Sequence, residues 1–299
     1  MKKIALFFLI LLIAIACTPK EEGETTPSID RTKLSRLIYY PGKSNEIHWH
    51  FNSKGLLEKK TKPDGTLIQS FEYSAQNNLI SRTDYVNGVA TTTDRYTYDT
   101  QNHITSFSGI PVTFDALTST YTLDFEDPIV DDEYEFVDKY EFKVTEEGLL
   151  SSAKSYVRSS DGNWVVPSPL FGSIWDSNLT GYSDNDVSSY SCLYDNKVNP
   201  IKQSVLAICR VSLFYLDIYS ADYALGQLPK LCLLPECYSM NNVMQIKHVI
   251  YEYEEGWIDK PALYEYKFND LNLPVSKTET SYGTSETEIL YYYQGDIIP

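Results

Sequence analysis

The chain has 299 residues, a net charge of −16, and 25 tyrosines against 12 phenylalanines and 4 tryptophans. That length holds one large β domain or two small ones. The acidic balance argues against nucleic acid, which needs a cationic footprint, and against electrostatic docking on anionic lipid. It reads most simply as a solvated surface. Tyrosine suits a pleated, half-buried surface on which its hydroxyl stays wet.

Residues 1–16 read as a secretory signal: Lys2-Lys3, an apolar run Ile4–Ile15, and the small Ala16 before Cys17. The apolar run is shorter than the roughly 20 residues that span a bilayer. Residues 17–33 carry Cys17 and then an acidic, Pro-containing stretch, Thr18–Asp30, without periodicity. That composition predicts a flexible tether. A single β domain is expected over 34–299.

Leu34–Tyr40 is the first predicted strand, stopped by Pro41-Gly42, and Glu46–Phe51 is the second. His48 and His50 share a face of the second strand. Zinc wants three or four protein ligands, and with no further His, Cys or Asp beside the pair, no metal is expected. From Phe51 a unit recurs: an aromatic residue, Gly or Asn four positions on, an aliphatic residue two further. It reads Phe51…Gly55…Leu57, Tyr73…Asn77…Leu79 and Tyr98…Asn102…Ile104. Weaker copies follow at Val144…Gly148…Leu150 and Phe268…Asn272…Pro274. Gly and Asn tolerate a left-handed backbone, and a type I turn followed by such a residue closes a β-hairpin. The spacing therefore assigns Gly55, Asn77, Asn102, Gly148 and Asn272 as structural turn positions. Pro63-Asp64-Gly65 and Asn87-Gly88 supply the turns at the other strand ends. The meander runs Leu56–Lys62, Leu67–Tyr73, Leu79–Val86, Ala90–Tyr98, His103–Ser108. Period 2 puts Leu67, Gln69, Phe71 and Tyr73 on one face. On the next strand it groups Leu79, Ser81, Thr83 and Tyr85, against Ile80, Arg82 and Asp84.

Ser119–Phe125, Glu133–Val144 and Leu149–Arg158 continue the strands, with an acidic loop over 126–133. Trp164–Asp186 is rich in Pro, Gly, Ser and Asn and reads as a long loop over the sheet. Phe171, Trp175 and Tyr182 on that loop are candidate ligand-stacking residues. Val205–Tyr215 is apolar with neither period 2 nor period 3.6. Residues 202–238 are expected to form an irregular, partly helical insert capping an apolar end of the sheet. Strands resume at Val243–Glu254, Ala262–Phe268, Leu273–Tyr282 and Glu286–Tyr293. The fold class expected is all-β: an antiparallel meander of repeated hairpins forming a strongly curved or barrel-like sheet.

Four motifs carry resemblances. Ala16-Cys17 resembles a bacterial lipobox, and Lys20-Glu21-Glu22 behind it resembles the surface-export signal of Bacteroidetes lipoproteins. The aromatic–Gly/Asn units resemble the tyrosine–aspartate repeats of large secreted bacterial wall and toxin proteins. The tract Tyr194-Asp195-Asn196-Lys197…Asn199-Pro200, with Ser239…Asn241-Asn242-Val243, resembles a family of gut Bacteroidetes lipoproteins of unknown function with a porin-like β-barrel fold. That resemblance implies lipidation at Cys17, an outer-membrane location on the cell surface or facing the periplasm, and no catalytic residues. The strands themselves do not alternate as lipid-facing strands do, since Gln69 interrupts one face and Glu72 the other.

No nucleophile elbow, zinc-protease helix, phosphate loop or nucleotide fingerprint is present, and no cofactor is expected. Carboxylates are plentiful enough to keep a two-carboxylate glycosidase among the alternatives. After Cys17 the cysteines are Cys192, Cys209, Cys232 and Cys237, which allow three disulfide connectivities or free thiols. The leading expectation is a non-enzymatic surface lipoprotein binding a glycan or protein ligand. A structural envelope component without a ligand is the alternative.

Overall fold

A computed structural model describes residues 29–130, 136–158, 164–165, 171–176, 178–184, 188–211, 239–252, 256–281 and 284–298. Cys17, Cys232 and Cys237 lie outside the described residues, as do the signal and most of the tether. The strands are β1 (Leu34–Tyr39), β2 (Ile47–Phe51), β3 (Leu57–Thr61), β4 (Leu67–Tyr73), β5 (Leu79–Val86), β6 (Val89–Tyr98) and β7 (Ile104–Phe107). They continue as β8 (Ile110–Asp115), β9 (Thr120–Val130), β10 (Phe136–Val144), β11 (Leu150–Arg158), β12 (Trp164–Val165), β13 (Phe171–Asp176), β14 (Asn178–Asp184) and β15 (Ser188–Val198). A helix, α1 (Pro200–Val211), precedes β16 (Asn241–Glu252), β17 (Gly256–Phe268), β18 (Pro274–Ser281) and β19 (Thr284–Tyr293).

Each strand pairs antiparallel with its neighbours in sequence, except that β11 pairs with both the two-residue β12 and β13. The last strand returns to the first: Leu37 of β1 faces Tyr291 of β19 on one side and Trp49 of β2 on the other. The hydrogen-bond circuit is closed, so the meander is a barrel and the edge-strand problem is removed.

The repeat unit is a hairpin with a built-in bulge. The aromatic position pairs directly with the aliphatic one in every copy: Phe51 with Leu57, Tyr73 with Leu79, Tyr98 with Ile104, Val144 with Leu150, Phe268 with Pro274. One residue after the aliphatic is then skipped in the register (Glu58, Ile80, Thr105, Ser151, Val275). The backbone is left-handed at Gly55 (φ 81°), Asn77 (67°), Asn102 (67°), Gly148 (79°) and Asn272 (57°). The residue after each aromatic position is Asn52, Ser74, Asp99, Thr145 or Asn269. Its side-chain oxygen accepts a backbone N–H from inside the turn.

Tyrosines lock the units together. A bulge takes a carbonyl out of the strand ladder, and a hydroxyl from the next unit supplies the donor. Tyr73 donates to the Leu57 carbonyl at 2.6 Å and Tyr98 to that of Leu79 at 2.6 Å. Tyr266 donates to Val243 at 3.0 Å and Tyr293 to Pro274 at 2.8 Å. This is a structural use for four of the 25 tyrosines.

The bulge also corrects a face assignment. Ile80 is the skipped residue on β5, 38% exposed, so the phase flips after it. Leu79, Arg82 and Asp84 point inward, while Ser81 pairs outward with Glu72. The inward row Tyr291–Leu37–Trp49–Lys60–Gln69–Asp84 runs from aromatic to charged. Lys60 lies 4.4 Å over the Trp49 ring, Gln69 donates to Asp84 at 2.7 Å, and Arg82 bridges Asp84 (2.6 Å) and Asp94 (3.4 Å). Lys277, buried, pairs with Glu288 at 2.8 Å. Such buried pairs stabilise little over an apolar isostere, but breaking one is costly.

Outward, the hydroxyls of Thr83 and Thr93, Thr97 and Thr105, and Thr97 and Ser106 bond across strands at 3.1, 2.9 and 2.7 Å. Over β5–β7 the outer face is thus hydroxyl-rich, while the inner face sets Leu79, Tyr96, Ile104 and Phe107 beside the Arg82–Asp84–Asp94 cluster, unlike the apolar-out pattern of a lipid-facing strand. Helix α1 buries Ile201, Val205, Ile208, Cys209 and Val211 in the same core as Leu37, Leu79 and Phe142.

Several expectations change. Residues 164–186 are not one long loop. They contain β12, β13 and β14, paired through Phe171–Ala153, Trp175–Leu179 and Tyr182–Ser173, because a pleated strand accepts Gly172 and Gly181 once neighbours supply the ladder. The acidic segment is strand as far as Val130, where β9 pairs with β10. β8, unanticipated, follows the tight turn at Ser108 and Gly109, both with positive φ. The insert opens as a regular helix from Pro200 to Val211, and residues 212–238 lie outside the described residues. The compact unit begins at Arg31.

Candidate functional site

The repeat turns, the start of β1 and the end of β19 gather at one end of the barrel, and α1 is tied to that end. Asn199 caps the helix, accepting the Ile201 N–H at 2.9 Å, while its amide donates to the Ser239 carbonyl at 3.0 Å. Pro200 follows at the first helical position, where its missing N–H costs nothing. Asp195 accepts the N–H of Lys197 and both the backbone N–H and side-chain amide of Asn242. The Tyr194–Pro200 and Ser239–Val243 tracts therefore form one polar clamp holding the two ends of the insert. Farther along α1, Lys202 pairs with Glu147 at 2.7 Å and the Arg210 Nε donates to the Glu147 carbonyl at 2.7 Å.

Between the C-terminal turn of α1 and the turns of three repeat units lies a cavity of about 360 Å³. That volume falls within the usual range for small-molecule sites. Its aromatic wall is a row of three rings, stacked between His103 and Phe114 and tilted by 41° between Phe114 and Tyr121. The His103 ring lies 4.1 Å from Phe114 at 23°, and Phe114 lies 4.6 Å from Tyr121. Tyr98, Leu79 and Ile104 complete the apolar lining. Gln101, Asn102, Thr145, Glu146 and Arg210 provide the polar rim.

The turn Asp99–His103 presents the histidine. Asp99 accepts the backbone N–H groups of Gln101 and His103, each at 2.8 Å, and its other oxygen meets His103 Nδ1 at 3.1 Å. The backbone bond to His103 chiefly, then the ring contact and the Gln101 N–H, hold the Asp99 carboxyl below its usual range. With Nδ1 donating to Asp99, the neutral ring leaves Nε2 as an acceptor. Burial pushes the Tyr98 and Tyr121 hydroxyls up, and the Arg210 charge pulls each back in part. Both tyrosines are protonated at neutral pH.

Of the residues singled out by sequence, Asn102 and Gly148 line this cavity. Gly55, Asn77 and Asn272 belong to other turns. Phe171 and Trp175 sit on β13 and Tyr182 on β14, and their side chains lie outside the description. His48 contacts Glu46 at 2.6 Å and His50 contacts Thr61 at 2.9 Å. Burial first, then the charges of Arg36 and Lys59, hold the His50 imidazole down at about 4. No group of three or more His, Cys, Asp or Glu suited to a metal occurs among the described residues. Cys192 and Cys209 are buried.

Sequence reading missed His103, Phe114, Tyr121 and Arg210. One signal was available: Leu56, Asn78, Leu149 and Leu273 follow the left-handed residue elsewhere, and a histidine follows it only at Asn102.

No family model and no curated protein matches this chain. Among solved structures, a porin-like protein from Bacteroides vulgatus aligns over 88% of this chain and 99% of its own, at 11% identity and TM-score 0.31. A porin-like protein from Bacteroides uniformis aligns over 87% and 98%, at 8% identity and TM-score 0.28. The complex TcdB2-TccC3-Cdc42 aligns over 83% of this chain and 13% of that one, at 12% identity and TM-score 0.29. At these identities and scores the likeness carries neither ligand nor role to this chain. The barrel is established by its own strand pairing.

Proposed function

We propose that this chain is a non-enzymatic binding protein of the outer membrane, lipid-anchored at Cys17 and displayed on the cell surface, with a glycan as its ligand. The observation that carries the binding reading is the cavity at the turn end. An aromatic wall suits the apolar face of a sugar ring, and amide, imidazole, carboxylate and guanidinium groups surround it to meet hydroxyls. The anchoring reading rests on the basic start, the apolar run and Ala16-Cys17. A bacterial lipoprotein carries several acyl chains, and stable anchoring takes more than one. The hydroxyl-rich outer face fits a barrel in water held off the membrane on the tether.

Two experiments test this. A glycan array probed with the full chain in mild detergent should give hits that weaken about tenfold or more in Phe114→Ala, since stacking is worth roughly 0.5–1.5 kcal/mol beyond the buried area. An array without hits would instead favour a structural envelope role. Cell fractionation of Cys17→Ala in the native host should move the protein out of the outer-membrane fraction. Unchanged partitioning would refute the anchor, and protease access on intact cells separates surface display from a periplasm-facing anchor.

A further inference from the structure

We infer that the turn-end cavity selects a carboxylate-bearing sugar, a uronic acid or similar acidic residue, with Arg210 as its carboxylate receptor. This rests on the glycan reading above and sharpens it.

The geometry of Arg210 is the ground for it. The residue stands in the last turn of α1 and reaches across Gly148, where a Cβ would meet its Cγ at 3.4 Å and its Nε at 3.5 Å. Those are ordinary van der Waals distances, so the arginine packs directly over the glycine, whose φ of +79° disfavours any side chain there. The bond from Nε to the Glu147 carbonyl, 2.7 Å, uses the inner donor and fixes the plane of the guanidinium. The Nη groups have no hydrogen-bond or ion-pair partner among the described residues, while Arg210 lines the cavity. A guanidinium held by Nε presents its outer edge as a two-donor fork, the shape that matches a carboxylate.

The surrounding charges point the same way. Glu147 is already engaged by Lys202 at 2.7 Å, and Asp99 by His103 and its own turn. The nearer carboxylates are thus compensated, leaving Glu146 as a rim acceptor for hydroxyls. On a chain of net charge −16, an acidic ligand meets general repulsion, so recognition depends on a local positive group. Arg210 supplies it at the cavity and His103 flanks it. The His103–Phe114–Tyr121 row provides the ring platform beside the fork.

The test uses a matched pair that differs only in charge: trigalacturonic acid and its fully methyl-esterified form, titrated into the full chain in mild detergent. The acid should bind about tenfold or more tightly than the ester, the worth of a hydrogen bond to a charged group. Its advantage should shrink between 50 and 500 mM salt. Arg210→Gln should erase the difference between acid and ester, and Arg210→Lys should keep only part of it, because a point charge replaces the fork. Equal affinity for acid and ester in the wild type, or a difference that survives Arg210→Gln, overturns the acidic-sugar inference and leaves the glycan cavity standing. Binding of neither form, with retained native circular dichroism, overturns this inference. The broader glycan reading is then judged on the array alone.

Discussion

Tyr293→Phe tests whether the tyrosine hydroxyls hold the barrel together. Tyr293 is 1% exposed and donates to the Pro274 carbonyl at 2.8 Å. Removing the hydroxyl keeps the ring and its packing but leaves a buried carbonyl without its donor, where water cannot enter freely. An unsatisfied buried group of this kind costs about 1–3 kcal/mol. For a domain of this size 1 kcal/mol moves the midpoint by about 2–4 °C, so a loss of about 2 kcal/mol appears as roughly 4–8 °C. Tyr292→Phe is the control: its neighbour points to the other face and is half-buried, so its effect should stay within about 0.5 kcal/mol. The assay is urea unfolding followed by circular dichroism, with an unchanged slope confirming that only stability moved. Burial, then Asp296, raises the Tyr293 hydroxyl above its ordinary value. A raised acid contributes stability that is present below about pH 10 and lost as pH rises above it. The wild type should therefore weaken above pH 10 more steeply than Tyr293→Phe. Equal effects of Tyr292→Phe and Tyr293→Phe, or no effect of either, would refute the interlock.

Gly55→Val should cost about 2 kcal/mol or more in the same assay, because φ is +81° and a Cβ would meet Lys33 Cβ at 3.3 Å. Gly65→Val, left-handed at +86° with nothing within 4 Å, should cost less. His50 is held at about 4 against an ordinary 6.5, by burial before the charges of Arg36 and Lys59. The unfolded chain therefore binds the extra proton between those values, so stability should fall as pH drops from about 6.5 to 4. His50→Gln should flatten that slope. Asn199→Ala should lose about 1–2 kcal/mol through the helix cap and the tie to Ser239. Hydrogen exchange should then rise first in α1, and uniform loosening would count against the clamp.

The all-β class and the hairpin period were legible in the sequence because they are local. An Asn, Ser, Asp or Thr after the aromatic position and a Gly or Asn three residues later dictate the turn wherever it sits, and Asn87-Gly88, both at positive φ, dictate another. The inward face of β4, with Gln69, Phe71 and Tyr73, also follows from alternation alone. Three things needed the tertiary structure. The bulge at Ile80 reverses the phase of β5, and no residue in the strand announces a skipped pairing, which is set by the partner strand. The closure of β19 onto β1 joins residues 250 or more apart, a distance over which sequence patterning has no reach. Glycine- and serine-rich β13 and β14 have weak intrinsic preference for strand, and only paired neighbours make them so. The cavity shares this dependence. His103, Phe114, Tyr121 and Arg210 sit on four separate elements, and only the closed barrel and the clamped helix bring them to one place.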